Sequence, residues 1–295
     1  MPSEVEACTF PFGWDKLGAS IDFGSGWTLM SKRTLIIGTV AGGAIIALLI
    51  AERRRPSRPV TQPEPRRTLH NLAMGAGCMA VIATIEKPLV DRLTAAVERR
   101  RIGLAQLLPA PARDIVAFLL LDWTMYGWHV ATHRVAFLWR FHLVHHVDQD
   151  MDASTALRFH AADMLVSLPF RLAQVALTGA GPRAHQAWQS FFFLSVLFHH
   201  SRLRLSPRAE QLVGLALTTP GMHDIHHRAD PATLNSNWSS GLSFWDRLHG
   251  SFRTTAPDAP IGVPGYDQPL RLSQLLVLPL RSPHHADDRP LPAQP

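Results

Sequence analysis

Two cysteines and two tyrosines in 295 residues leave this chain almost without thiolate or phenolate donors. Cys8 and Cys78 lie far apart and neither belongs to a C-x-x-C pair, which excludes a thiolate zinc site and a disulfide-stapled scaffold. Any metal must therefore be held by nitrogen, with some help from carboxylate oxygen. The H-E-x-x-H of zinc proteases, the G-x-S-x-G elbow and the Walker loop are all missing. So are the paired E-x-x-H motifs of soluble di-iron bundles. No basic patch is interleaved with aromatics for stacking bases, so a nucleic-acid partner is not expected. The net charge of +6 comes mainly from arginine, clustered at Arg53 to Arg55, at Arg66 and Arg67, and at Arg99 to Arg101. Each cluster flanks an apolar segment, the pattern of membrane helices facing anionic lipid.

Histidine is what the chain has in quantity. The stretch from Trp128 to His146 reads WHVATHRVAFLWRFHLVHH, placing His129 and His133 four apart and His142, His145 and His146 as H-x-x-H-H. Positions three or four apart share one helix face, so each group can aim its imidazoles at a common point. A second H-x-x-H-H stands at His223, His226 and His227, with His160, His199 and His200 between the two. A lone histidine is usually a core or surface residue, but two such boxes plus H-x-x-x-H reverse those odds. Eight to ten histidines exceed what one tetrahedral ion needs and suit two ions, each with an open position. Neutral imidazole suits Zn, Cu, Fe and Ni. The residues alone point to a membrane-embedded dinuclear site, with iron the favoured metal. The competing reading is a histidine-rich membrane Zn- or Cu-binding carrier or sensor without oxygenase activity. It expects ligands along a path inside the spans, whereas these histidines fall at span ends and in loops.

The architecture expected is all-α, an integral membrane helical bundle with a cytoplasmic-side histidine-rich di-metal cap. Residues 1–33 read as a poorly ordered segment and 34–112 as a membrane hairpin with linkers. Residues 113–255 carry the catalytic domain, and 256–295 form a tail holding His284 and His285, which are not expected to be ligands. Apolar runs at 34–51, 69–85 and 113–128 approach the ~20 residues that a bilayer core requires. The run at 34–51 is expected to be a retained anchor rather than a cleaved leader. Runs at 164–178 and 187–198 flank Gly179-Ala180-Gly181-Pro182 and read as a helical hairpin, while 212–219 is too short to span. Bringing all histidines to one side puts the arginine-rich linker at 52–67 in the cytoplasm. Asp122 stands seven residues before His129 in an apolar segment, and could accept a hydrogen bond from that imidazole.

The motif order resembles the fatty acid hydroxylase/sterol desaturase superfamily of membrane-bound histidine-box di-iron oxygenases. The matching elements run from D-x6-H-x3-H through L-W-R-F-H-x-x-H-H, T-A-L-R-F-H and H-S-x-x-R-L to T-P-x-M-H-x-I-H-H. A closing stretch from Asn235 to Trp238 and from Leu242 to Phe252 looks like the family's end signature. Val130, Ala161 and Arg202 stand where many relatives have Arg, Pro and Asn, and none of these removes a candidate ligand.

The resemblance implies an enzyme, an O2-dependent lipid hydroxylase or desaturase that uses two Fe ions cycling between Fe2+ and Fe3+. By position it implies metal ligands at His129, His133, His142, His145, His146, His160, His223, His226 and His227, with His200 or His199 completing the set. Asp122, Asp224, Asn237 and Asp246 are candidate partners of those imidazoles. No fused redox domain is visible, so electrons are expected from a separate donor, a ferredoxin or a b-type cytochrome with its reductase. Trp128, Phe159, Phe191 to Phe193 and Trp238 are candidates to line a lipid channel.

Overall fold

The computed structural model describes residues 21–22, 28–29 and 32–281. The expectations for residues 1–20, for Cys8 and for His284 and His285 lie outside the described residues. The chain divides into two units, 1–47 and 48–295. In the first, Ile21–Asp22 (β1) and Thr28–Leu29 (β2) pair antiparallel, and these four residues are the one departure from the all-helical expectation among the described residues. Helix α1, Lys32–Arg54, covers the apolar run at 34–51 and ends on Arg53 and Arg54.

Five long helices build the second unit. They are α2 (Glu64–Val81), α3 (Lys87–Arg100), α4 (Ala110–Arg134), α6 (Ala161–Thr178) and α7 (Pro182–His200), with the short α5 (Ala136–His146) between α4 and α6. A π turn, Ile82–Glu86, joins α2 to α3. Its cause is local: Pro88 has no N–H to continue the ladder, and the Lys87 N–H reaches back to the Ile82 carbonyl. Pro182 opens α7, and Gly179 closes α6 at φ 78°, a left-handed cap that favours glycine. The expected hairpin over 164–198 is therefore present as α6 and α7. Helix α4 packs against α7, while α2 and α3 pack against α6.

Two apolar clusters hold the bundle. Leu121 and Met125 of α4 meet Ala184 and Trp188 of α7. Trp139, Leu143 and Val144 of α5 meet Met74, Leu234, Leu275 and Leu278, which fixes the helix carrying the H-x-x-H-H box. Gln174 ties α6 to α4, donating to the Leu121 carbonyl at 2.9 Å and to Thr124 Oγ1 at 2.8 Å. Among the described residues, one run of consecutive helices, Glu64–Leu107, is long and apolar enough to cross a membrane. Leu35, Ile36 and Val40 of α1 and Leu69 of α2 are exposed, as lipid-facing residues would be.

Short elements complete the site side. They are α8 (Pro207–Gly214), α9 (Pro220–His226), α10 (Pro231–Leu234), α11 (Phe244–Leu248) and α12 (Leu272–Val277). Thr219 caps α9 by accepting from the Met222 N–H at 3.3 Å, and this sets the start of the second histidine box. The run at 212–219 splits between the end of α8 and the turn that follows it.

Candidate metal centre

Nine buried imidazoles form two adjoining groups. His129, His133, His142, His146 and His226 make the first; His145, His200, His223 and His227 make the second. Within each group the nearest nitrogens all lie within 4.8 Å of one another. The rings of His146 and His227 stack at 4.3 Å and join the groups. Helical spacing explains the sorting. On α5, His142 and His146 are four apart and share a face, while His145 turns to the neighbouring group. At the end of α9, His223 and the capping His227 serve one group and His226 the other. Helix α4 ends at Arg134, the extended Val135 makes a corner, and α5 folds back so that His129 and His133 face His142 and His146.

The nitrogen geometry fits a metal. Nε2 of His200 lies 3.0 Å from Nε2 of His145 and 3.0 Å from Nε2 of His223, which is itself 3.1 Å from Nε2 of His227. In the other group, Nε2 of His146 and His142 are 3.2 Å apart. A neutral ring nitrogen has one proton or one lone pair, so His200 and His223 cannot satisfy two such contacts each by hydrogen bonding. Metal–imidazole bonds of about 2.0–2.1 Å place adjacent ligand nitrogens about 3.0–3.4 Å apart. The observed separations are those of lone pairs facing a shared cation. Nδ1 of His129 bonds the Trp238 carbonyl at 2.7 Å, Nδ1 of His226 the Ser236 carbonyl at 2.8 Å, and Nδ1 of His200 the Val196 carbonyl at 2.8 Å. Each bond fixes the ring as the Nδ1–H tautomer and leaves the Nε2 lone pair free to ligate.

Burial, followed by mutual repulsion of neighbouring rings, holds His145, His146, His223 and His227 well below the ordinary imidazole range. Burial and the His129 ring do the same to His226. All five are neutral at pH 7, the ligating form. No carboxylate or thiolate joins either group among the described residues. An all-imidazole donor set suits iron, zinc, copper or nickel rather than magnesium or calcium.

The remaining candidate residues fall elsewhere. His160 lies outside both groups: its Nδ1 accepts from the Ala162 N–H at 3.0 Å, capping α6, and its Nε2 donates to the Leu276 carbonyl at 3.1 Å. His199 stands beside His223, ring centroids 4.1 Å apart, but belongs to neither group. Asp122 does not meet His129. It accepts from the Leu242 N–H at 3.0 Å, Trp245 Nε1 at 2.8 Å and Trp188 Nε1 at 3.4 Å, pinning the loop after α10 to α4 and α7. Asp224 pairs with Arg58 and Arg228 rather than with an imidazole. Asp246 accepts from the N–H groups of Trp238 (2.7 Å) and Ser239 (3.0 Å) and from Ser251 Oγ (2.7 Å). Burial raises its carboxyl, and these donors offset part of that rise. Asn237 donates to the carbonyls of Met222 (2.9 Å) and Arg253 (3.0 Å). Among the candidate channel aromatics, Phe159 stacks on His145 at 4.4 Å and Trp238 packs on His133 at 4.7 Å, whereas Trp128 stacks on Phe170.

Sequence reasoning missed the buried ion network behind α5. Arg67 meets Asp148 and Asp152, and Arg158 reaches the Val144 carbonyl at 3.1 Å and Asn71 Oδ1 at 3.1 Å. Burial pushes the Asp148 carboxyl up, but Arg158 and Arg67 outweigh it and hold it below the ordinary carboxylate range. The signal was present as an acid two residues past the box and an arginine in R-F-H. Arg202, one of the departures from the family pattern, pairs with Glu64 at 2.8 Å.

Residues 115–251, which supply every member of both groups, match the fatty acid hydroxylase family. The chain is similar to that family over this stretch, a little under half of its length. It is 26% identical over 269 residues to the ornithine lipid hydroxylase OlsE of Rhizobium tropici, covering 84% of this chain and 75% of that protein. It is 30% identical over 157 residues to the alkylglycerol monooxygenase of Danio rerio, 52% of this chain and 33% of that one. Human cholesterol 25-hydroxylase is 27% identical over 164 residues, 52% and 58% of the two chains. The chain spans about a third of the length of the alkylglycerol monooxygenases it matches. No solved structure matches. These relatives are hydroxylases or monooxygenases by name.

Proposed function

We propose that this chain is a membrane-bound non-heme di-iron oxygenase that hydroxylates a C–H bond of a lipid, using O2 and electrons from a separate donor. The observation that carries the reading is the convergence of nine buried imidazoles into two groups at metal-ligand spacing, inside a stretch similar to lipid hydroxylases. His129, His133, His142, His146 and His226 would hold one ion, and His145, His200, His223 and His227 the other. Of the two neighbouring histidines, His200 is assigned as ligand and His199 is not. Bound iron would supply O2 activation and the oxidising power to break an unactivated C–H bond.

The protein's own part is to bind, orient and exclude water. The carbonyls of Ser236, Trp238 and Val196 orient three ligand rings. Phe159 and Trp238 cover His145 and His133 with aromatic surface, which keeps water from the site and suits a hydrocarbon chain. Hydroxylation is preferred to desaturation because the relatives are named as hydroxylases or monooxygenases. The histidine groups are assigned to the cytoplasmic side. The arginine-rich linker after α1 docks beside them, with Arg58 on Asp224 and the Arg204 N–H on the Arg55 carbonyl at 2.7 Å. The helices α4, α6 and α7 are assigned as further spans beside Glu64–Leu107, making the chain multi-pass.

Metal analysis with anaerobic reduction and re-oxidation tests the assignment. Two irons per chain that are re-oxidised by O2 are expected. One or two zinc ions indifferent to O2 would instead support a metal-binding protein without oxygenase chemistry.

A further inference from the structure

We propose that Asn237 is a positioning residue for the five-histidine group alone, its left-handed backbone turning the carbonyls on either side of it onto two ligands of the same ion. Asn237 has φ 51°, one of two non-glycine residues with positive φ among the described residues. Such a conformation is costly for most side chains and persists only where the surroundings enforce it. Here they do. Nδ2 of Asn237 donates to the carbonyls of Met222 (2.9 Å) and Arg253 (3.0 Å), and Oδ1 accepts from the Arg253 N–H (2.8 Å). Its own N–H donates to the Ser251 carbonyl at 3.0 Å. The side chain thus clamps α9 to the segment beyond α11.

The consequence is read one residue to each side. The Ser236 carbonyl meets Nδ1 of His226 at 2.8 Å, and the Trp238 carbonyl meets Nδ1 of His129 at 2.7 Å. The His129 and His226 rings are 4.7 Å apart and belong to the same group. Asp246 holds the other side of this turn, accepting from the N–H of Trp238 at 2.7 Å. An extended residue at 237 would space these two carbonyls by about 6.5–7 Å along the chain, wider than the 4.7 Å between the two rings they serve. No imidazole of the four-histidine group donates a hydrogen bond to the carbonyls of this turn. Among the described residues its one ring-to-carbonyl bond is from His200 to Val196, within α7, while Nδ1 of His145, His223 and His227 has no partner. This role rests on the metal-centre reading above.

The test follows metal release from the full-length, iron-loaded chain in detergent micelles, with a chelator in excess and iron measured over time. Wild type is expected to release two ions in separable phases. Asn237→Val, a β-branched side chain that resists positive φ, is expected to bind about one iron per chain, with the remaining phase unchanged. Asn237→Gly keeps the left-handed turn but loses the clamp. It is expected to fold and load two irons, and to release one of them about 10–100-fold faster than wild type while the other phase stays put. If Asn237→Val does not fold, Asn237→Gly decides alone. Release unchanged in Asn237→Gly, or both phases accelerated together, would overturn the role of Asn237. A wild-type chain that takes up no metal would instead overturn the metal-centre reading.

Discussion

Arg67 on α2 and Asp148, two residues past the last histidine of α5, form a two-point ion pair at 2.8 and 2.9 Å with side chains only 3% and 0% exposed. The same guanidinium reaches Asp152 at 2.6 Å and Thr155 Oγ1 at 2.6 Å. One arginine therefore fastens α2 to the end of the first histidine box. Replacing it removes the nearest cation of both carboxylates and leaves the buried Asp148 with Arg158 alone, at 3.7 Å. Arg67→Met is expected to destabilise the fold by about 3–5 kcal/mol, seen as a large drop in the thermal midpoint in detergent. A midpoint within a degree or two of wild type would show that the pair contributes little.

The loop carrying Trp238 sits against α4 too closely for any side chain at Gly241. A Cβ there would overlap the Asp122 carboxylate and come within 2.8 Å of the Phe191 ring. Gly241→Ala is expected to cost about 1–3 kcal/mol and to lower iron content, because the displaced loop also carries the carbonyls that orient His129 and His226. Calorimetry and metal analysis on one preparation check both outcomes. A variant with normal stability and two irons would contradict the packing described.

His145 and His160 provide the sharpest contrast among single substitutions. Nε2 of His145 faces His200 and His223 shares that ring as neighbour, whereas both nitrogens of His160 are engaged by Ala162 and Leu276. His145→Ala is expected to lose about one iron per chain and all hydroxylation. His160→Ala is expected to keep both irons and to lose about 0.5–2 kcal/mol of helix capping. Loss of iron from the His160 variant at unchanged stability would return that residue to the ligand set.

Acid should destabilise the metal-free chain in a defined direction. Burial depresses the folded-state values of His145, His146, His223, His226 and His227, so these rings stay neutral in the fold while the unfolded chain protonates near the ordinary value of 6.5. The stability they confer is present above 6.5 and is lost as pH falls through and below it, because the unfolded state then binds more protons. Thermal scans of apoprotein from pH 7.5 to about pH 5 should show a falling midpoint. A flat or rising profile would mean that the rings are not held neutral.

Nine of the eleven histidines singled out in the sequence fall into the two buried groups, because helical spacing is a local rule. Four-residue steps between His129 and His133, His142 and His146, and His223 and His227 sort the rings onto faces before any tertiary contact is known. The partners of the imidazoles were not legible, because they are backbone carbonyls whose direction depends on a tertiary turn. Asp122 shows the limit. Seven residues before His129, it shares that residue's helix face, yet its carboxylate is drawn away by the Leu242 N–H and the Trp245 indole, 120 and 123 residues later. Arg67 was hidden for the same reason, lying 81 residues from its partner Asp148.

Incorporation of oxygen from isotopically labelled O2 tests the central claim most directly. Iron-loaded protein would be supplied with membrane lipids and a chemical or protein reductant, and the lipids analysed by mass spectrometry. The account predicts a lipid product heavier by one labelled oxygen atom, formed by wild type and absent with His145→Ala. Lipids unchanged in mass while the bound irons are reduced and re-oxidised normally would contradict it.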